Sequence, residues 1–273
     1  MKRKILLSIT ILLLLGQSSW IKGQFTPAEI AEREKWEDFL MTAEITGSKE
    51  IGEGVTKPLK LYLKKGDLEW PAAWKNPHGI KFGFLEGWQY EIAAYRMDKL
   101  LELNMIPPTV EREFNGKRGS LQFWIVSEMN DLERMDKKIA IPKEAADGWE
   151  KMKYMARAFD SLIGNEDRTQ QNIRYTKDWR TILIDHSRSF RSTEKFAKQL
   201  MFGQNGISGN KPFRRLPRVF VEKIKALTFD NTKNAVGPYL EDKEIKAIMT
   251  RKSLLLKEIE EMMKEKGEDK VLY

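Results

Sequence analysis

Apolar positions change their spacing along the chain, and each change marks a different kind of element. After an apolar run at Ile5–Leu15, residues Ile30, Trp36, Phe39 and Leu40 follow roughly helical intervals to about Met41. Thr26-Pro27-Ala28-Glu29 supplies the start of that helix: Thr26 caps, Pro27 suits the first turn and Glu29 stands three residues on. Over residues 43–75 the period shortens. Gly47, Gly52, Gly54 and Pro58 separate stretches such as Leu59–Leu63 and Trp70–Trp74, a pattern of turn-linked strands. Gly87 precedes a long amphipathic helix over Trp88–Leu103, with Ile92, Tyr95, Leu100 and Leu103 near one face and Pro107-Pro108 closing it. Thr109–Phe114 and Ser120–Val126 read as strands on either side of the hairpin turn Asn115-Gly116.

Beyond Glu128 the helical period dominates. A helix around Trp149–Leu162 runs into Gly164, and a short hairpin pairs Ile173–Tyr175 with Thr181–Ile184 across Lys177-Asp178. Phe190–Arg215, rich in Gly, Ser, Asn and Arg, reads as a long surface loop. Asp242–Lys266 is helical, with Ile245, Ile248, Leu255, Ile259 and Met262 on one stripe that reads as core packing. The expected class is therefore α+β: a small strand-rich lobe over 24–128 and a helical lobe over 129–273.

Composition narrows what such a fold does. Among 273 residues there is no cysteine and only two histidines. The first count excludes a disulfide scaffold, a thiolate zinc site and a cysteine nucleophile, and the second leaves almost no room for a multi-histidine metal site or a histidine relay. The formal net charge of +8 points toward polyanions, but part of it belongs to the N-terminus. Lys2, Arg3 and Lys4, the apolar run and the small-residue stretch Gly16–Gly23 form a secretory signal, expected to be cleaved after Gly23 or Ser18. The alternative is an uncleaved membrane anchor, which the run is short for against about 20 apolar residues. Loss of residues 1–23 leaves 44 basic against 40 acidic residues, a net +4. No nucleic-acid motif appears, so a nucleic-acid partner is not expected.

The densest polar cluster is Gly164–Ile173, followed by the apolar strand that ends at Asp185-His186. A hairpin of this length sets Asn172 beside Asp185, and with Asp167 they form a hard-oxygen set suited to Mg2+ or Mn2+. The bland alternative is a polar loop whose Asp and Asn cap turns. Upstream, Gly52-Glu53-Gly54 offers backbone donors between two strands, a weak pattern by itself. Lys75 closes one strand and Glu91 lies sixteen residues later on the next helix. A solvated strand end and an exposed helix carboxylate are the plain readings of these two.

These blocks resemble an atypical protein-kinase-like catalytic domain, nearest to the secretory-pathway kinases of the Golgi casein kinase type and more distantly to phosphoinositide 3- and 4-kinases. The resemblance lies in Y-E-I-A-A-Y-R-M-D-K-L-L at 90–101, P-P-T-V at 107–110, F-D-S-L-I-G-N-E-D-R at 159–168 and I-D-H-S-R-S-F at 184–190. It implies a two-lobed fold that binds ATP with Mg2+ or Mn2+ and transfers a phosphoryl group. On it, Asp167 would orient or deprotonate the acceptor hydroxyl, and Asn172 and Asp185 would hold the metal. Lys75 would contact the α- and β-phosphates, with Glu91 paired to it or aiding the metal site. Gly52 and Gly54 would belong to the phosphate loop, and the adenine-contacting hinge would fall near Val126–Glu128, including Glu128. Thr169 stands where relatives carry histidine, which puts the loop geometry in question; His186 substitutes for it or simply occupies a turn. Acceptors would be hydroxyls of a protein, a glycan or a small molecule, an acidic protein among them. Arg188, Arg191, Lys211, Arg214, Arg215 and Arg218 near the long loop would attract such acidity, or form a merely solvated basic face. The rival readings are a pseudokinase or binding module and a nucleotidyl transferase on the same fold. A basic protein binding anionic lipid or polysaccharide is a further rival, and export to the periplasm or exterior is the expected location.

Overall fold

The computed structural model describes residues 25–52 and 58–273, so the signal segment and Gly54 lie outside the described residues. The first helix starts on the expected reciprocal cap. The Glu29 N–H donates to Thr26 Oγ1 at 3.3 Å, and the Thr26 N–H donates to Glu29 Oε2 at 2.7 Å. The chain then forms α1 (Pro27–Ala31), α2 (Arg33–Thr42) and three strands, β1 (Glu44–Glu50), β2 (Leu59–Lys65) and β3 (Leu68–Lys75). A two-stranded ribbon follows, β4 (His78–Lys81) and β5 (Phe84–Gly87), then α3 (Trp88–Leu101) and the hairpin β6 (Thr109–Phe114) and β7 (Lys117–Phe123).

Five of these strands form an antiparallel sheet in the order β1-β2-β3-β7-β6. Asn115 and Gly116 turn the β6–β7 hairpin with φ of 50° and 70°, the left-handed pair that matches strand twist in a two-residue loop. α2 presses Phe39 and Leu40 against Leu61, Leu63, Ala72, Trp74, Val110 and Leu121. Alternation along β3 decides what reaches the site: Ala72 and Trp74 enter this core, so Lys75 emerges on the other face.

α3 ends at Leu101, short of the expected Leu103. Glu102 turns left-handed at φ 52°, and the Asp98 carboxylate accepts the N–H groups of Met105 and Ile106 at 2.8 and 3.2 Å. The helix is therefore stopped by its own acid, ahead of Pro107-Pro108. β7 likewise closes at Phe123, short of Val126.

The second lobe contains β8 (Met129–Asn130), α4 (Asp131–Asp136), α5 (Ala146–Ile163), the hairpin β9 (Ile173–Tyr175) and β10 (Thr181–Leu183), and α6 (Glu194–Lys198). It continues with α7 (Arg218–Ala226), α8 (Phe229–Val236), α9 (Asp242–Lys266) and α10 (Glu268–Val271). Its core joins Phe159, Leu162 and Ile163 of α5 to the Ile245–Met262 stripe of α9. Tyr90, Ala93, Ala94 and Met97 of α3 pack into the same core, which fixes α3 from below while its Glu91 faces β3.

The surface loop expected at Phe190–Arg215 needs correction. Its backbone is largely irregular, but Phe190, Leu200, Met201, Phe202 and Phe213 are buried. Glycine and serine set the irregular path, and these apolar side chains pin it down. Ser161 on α5 reinforces the seam, donating from Oγ to Phe202 O at 3.0 Å and accepting the Phe202 N–H at 2.9 Å. Among the described residues, no helix is long and apolar enough to cross a membrane.

Candidate active site

The site is built around a buried ion pair at the end of α5. Asp160 is fully buried on the last turns of that helix, and Gly164 ends it at φ 62°. The next residues wrap back over Asp160. Arg168 grips it with Nε to Oδ2 at 2.8 Å and Nη2 to Oδ1 at 3.0 Å, while Asn165 Nδ2 adds a third donor at 2.9 Å. Arg168 also donates to Asn172 O at 3.0 Å and Ile184 O at 2.8 Å, tying the loop to both arms of the β9–β10 hairpin. One guanidinium thus shapes the whole 165–185 region.

Asp167 stands on this loop with 29% of its side chain exposed. Its main-chain oxygen accepts the Asn172 amide at 2.8 Å, and its carboxylate lies 3.3 Å from Arg188 Nη1. Burial pushes the Asp167 carboxyl upward, and the Arg188 charge partly offsets that rise. Arg188 is itself anchored to buried Glu86, through Nε at 2.8 Å and Nη2 at 2.6 Å.

Asn172 and Asp185 come together as the hairpin predicts: the Ile184 N–H donates to Asn172 O at 3.1 Å. Asp185 adopts a left-handed backbone at φ 59°, a conformation aspartate tolerates better than most residues. Its Oδ1 meets Lys75 Nζ at 3.0 Å, and Lys75 Nζ also donates to Glu91 Oε1 at 2.8 Å. Glu91 Oε2 accepts the His186 N–H at 3.0 Å, so one buried glutamate fixes both the lysine and the turn that presents Asp185. Burial opposes the Lys75 charge, yet the two carboxylates outweigh it and hold the ammonium well above its ordinary value. Lys75 in turn overcomes the burial of Asp185 and keeps that carboxyl ionised.

His186, read from the sequence as a substitute for the missing histidine or a turn residue, is fully buried. Its Nε2 lies 2.7 Å from Arg168 Nη2; because arginine only donates, Nε2 accepts and the imidazole is neutral. It therefore helps order the loop that carries Thr169. Burial first, and then the Arg168 charge, hold it well below the ordinary value of 6.5. Above that value both folded and unfolded chains carry neutral imidazole. Below it only the unfolded chain takes the proton, so stability falls with falling pH by up to about 1.4 kcal/mol per pH unit. Urea unfolding of His186→Gln from about pH 7 to pH 5 is expected to show a slope smaller by about one proton.

Gly52 has a left-handed φ of 74° at the end of the chain leaving β1, with open space around it. Glu128 is exposed between the lobes, and its N–H donates to Tyr175 O at 2.9 Å. The six basic residues expected near the long loop do not form one patch. Arg188 turns inward to Glu86 and Asp167, Arg191 is buried against Glu166, and Arg218 pairs with Glu268 and Asp269.

The donor chemistry suits a hard divalent cation. Asn172 commits its amide nitrogen to Asp167 O, which leaves the carbonyl oxygen as its ligand atom, and Asp185 keeps a third of its side chain open. Among the described residues no group of three His, Asp or Glu is placed as a metal cage. Magnesium-type sites characteristically use one or two protein oxygens and complete their shell with substrate phosphates and water. Two protein oxygens beside a lysine fit that arrangement.

Sequence reasoning missed Asp160, Arg168 and Glu86 as parts of the site, and took Arg188 for an acceptor-attracting base rather than the partner of Asp167. Asp160 carried a readable signal, since it interrupts the apolar face formed by Ala156, Phe159 and Ile163.

The fold, a strand-rich lobe with a mainly helical one, is that of atypical protein-kinase-like structures. No protein-family model and no curated protein sequence matches the chain. Among solved structures it is similar to the Golgi casein kinase, with a TM-score of 0.61 and 15% identity over 89% of this chain and 77% of that one. It is also similar to the Helicobacter pylori proinflammatory kinase CtkA, with a TM-score of 0.50 and 9% identity over 84% of this chain and 96% of that one.

Proposed function

We propose that the protein is an exported kinase that uses ATP and a divalent cation to phosphorylate a hydroxyl of a protein, glycan or small molecule. The observation that carries this reading is Lys75 held between Glu91 and Asp185, with Asn172 and the Asp167 loop alongside. Glu91 orients Lys75 toward where the α- and β-phosphates would lie, and Gly52 would leave room for them. Asp185 and the Asn172 carbonyl would hold Mg2+ or Mn2+, which supplies neutralisation of the phosphate charge. Asp167 would accept the acceptor's hydroxyl proton, and Arg188 would keep its carboxylate oriented. Catalysis would then consist mainly of positioning and charge compensation by these side chains. Export rests on the N-terminal signal pattern in the sequence.

ATP with Mn2+ is expected to raise the thermal midpoint of the wild-type chain, and Asp185→Ala to remove that rise. Label from γ-labelled ATP should enter an acceptor from a mixed extract. Binding without transfer would indicate a pseudokinase, and incorporation from α-labelled ATP would indicate a nucleotidyl transferase. A chain that gains no stability from nucleotide under any metal would end the proposal.

A further inference from the structure

A second site is suggested by a cavity of about 200 Å3 walled by α5, the β9–β10 hairpin, Arg168 and the irregular segment around Lys211. Along α5, Trp149, Lys153 and Arg157 recur every fourth residue and so stand on one face, which lines this cavity. Lys153 Nζ lies 4.8 Å from the ring centres of both Trp149 and Tyr154. Arg157 Nη1 donates to Pro212 O at 2.9 Å, which brings the neighbouring Lys211 to the same wall.

The acids lining the cavity are already engaged. Asp131 holds Arg134 at 2.7 Å and accepts from Tyr175 at 3.0 Å, and Asp160 holds Arg168 at 2.8 Å. Among the described residues, Arg157 and Lys211 form no ion pair, and Lys153 reaches only Glu150, at 3.8 Å. Burial lowers both Lys153 and Arg157, and the nearby Arg214 charge lowers them further. Crowded cations repel each other, and with the lining acids already paired, one multivalent anion relieves that repulsion.

We propose that this cavity binds a phosphate group, held by Lys153, Arg157 and Lys211. Tetrahedral oxyanions take several charge-assisted hydrogen bonds at once, and an arginine fork beside two lysines supplies them. The cavity shares Asp160 and Arg168 with the loop that carries Asp167, but Lys153, Arg157 and Lys211 are none of the groups assigned to the Lys75–Asp185 cleft, so the proposal does not depend on the kinase reading.

The test is thermal unfolding and titration calorimetry of the full chain with inorganic phosphate, without nucleotide or divalent metal. Sodium chloride at matched ionic strength serves as the reference. Phosphate is expected to raise the midpoint beyond chloride. Lys211→Gln, at an exposed position that leaves the fold untouched, should weaken phosphate binding about tenfold, and Lys153→Gln with Lys211→Gln about a hundredfold. A short neutral peptide carrying one phosphoserine identifies the source: tighter binding than phosphate points to a phosphorylated chain, equal binding to free phosphate. A midpoint rise no larger than chloride's, or one that persists undiminished in the double variant, overturns the site.

Discussion

Asp167→Asn is expected to reduce phosphoryl transfer about a thousandfold while leaving nucleotide-dependent stabilisation intact. The substitution keeps the shape of the side chain but removes its charge and its ability to take a proton. Asp167 shapes the loop through its main-chain oxygen, which accepts the Asn172 amide and the Thr169 N–H at 2.8 and 2.9 Å; neither bond changes in the variant. The asparagine carbonyl can still face Arg188, so the Arg188–Glu86 pair stays in place. Lys75, Asp185 and Asn172 are untouched, and the nucleotide should bind as before. Label transfer from γ-labelled ATP would therefore fall in kcat with little change in the KM for ATP. A variant that transfers at the wild-type rate would remove Asp167 from the chemistry and leave the cleft as a nucleotide site of another kind.

The parts of this site legible in the sequence are those whose partners are set by local geometry. The β9–β10 turn is short, so its arms must pair, and Asn172 and Asp185 necessarily flank one end. Lys75 and Glu91 are paired in the sequence only through the kinase resemblance; the compact β4–β5 ribbon, which leads the chain from the sheet directly into α3, is what joins them. The remaining parts depend on contacts between distant segments. Glu86 and Arg188 are brought together by the ribbon base, where the Gly87 N–H donates to Ser187 O at 3.0 Å, and nothing local announces that contact. His186 reads as a turn residue because its polar neighbours hide the burial that Arg168 and Phe159 impose. The same limit explains Phe190–Arg215: composition sets the irregular backbone, while burial of Phe202 and Phe213 is decided by α5 and α9. The fold was legible more fully because capping, period and hairpin turns are local properties.

Arg168→Ala is expected to cost about 3–5 kcal/mol of stability, the range for breaking a buried pair by removing one partner. The pair is well shielded, with Arg168 and Asp160 side chains 5% and 0% exposed. Removing the guanidinium leaves Asp160 with only Asn165 for company and frees Asn172 O, Ile184 O and His186 Nε2 from their shared donor. Asp160→Ala should cost a similar amount, because the arginine then keeps its charge in a dry site with two carbonyls and a neutral imidazole but no anion. The double variant removes both charges, so its cost should be well below the sum of the singles. Urea unfolding at neutral pH with an unchanged m value measures all three. Single-variant losses below about 1 kcal/mol would be the signature of a hydrated, surface-like pair. In that case the loop carrying Asp167 would not be held rigid by Arg168. Positioning would then fall to Arg188, and Arg188→Ala would become the more damaging change for transfer.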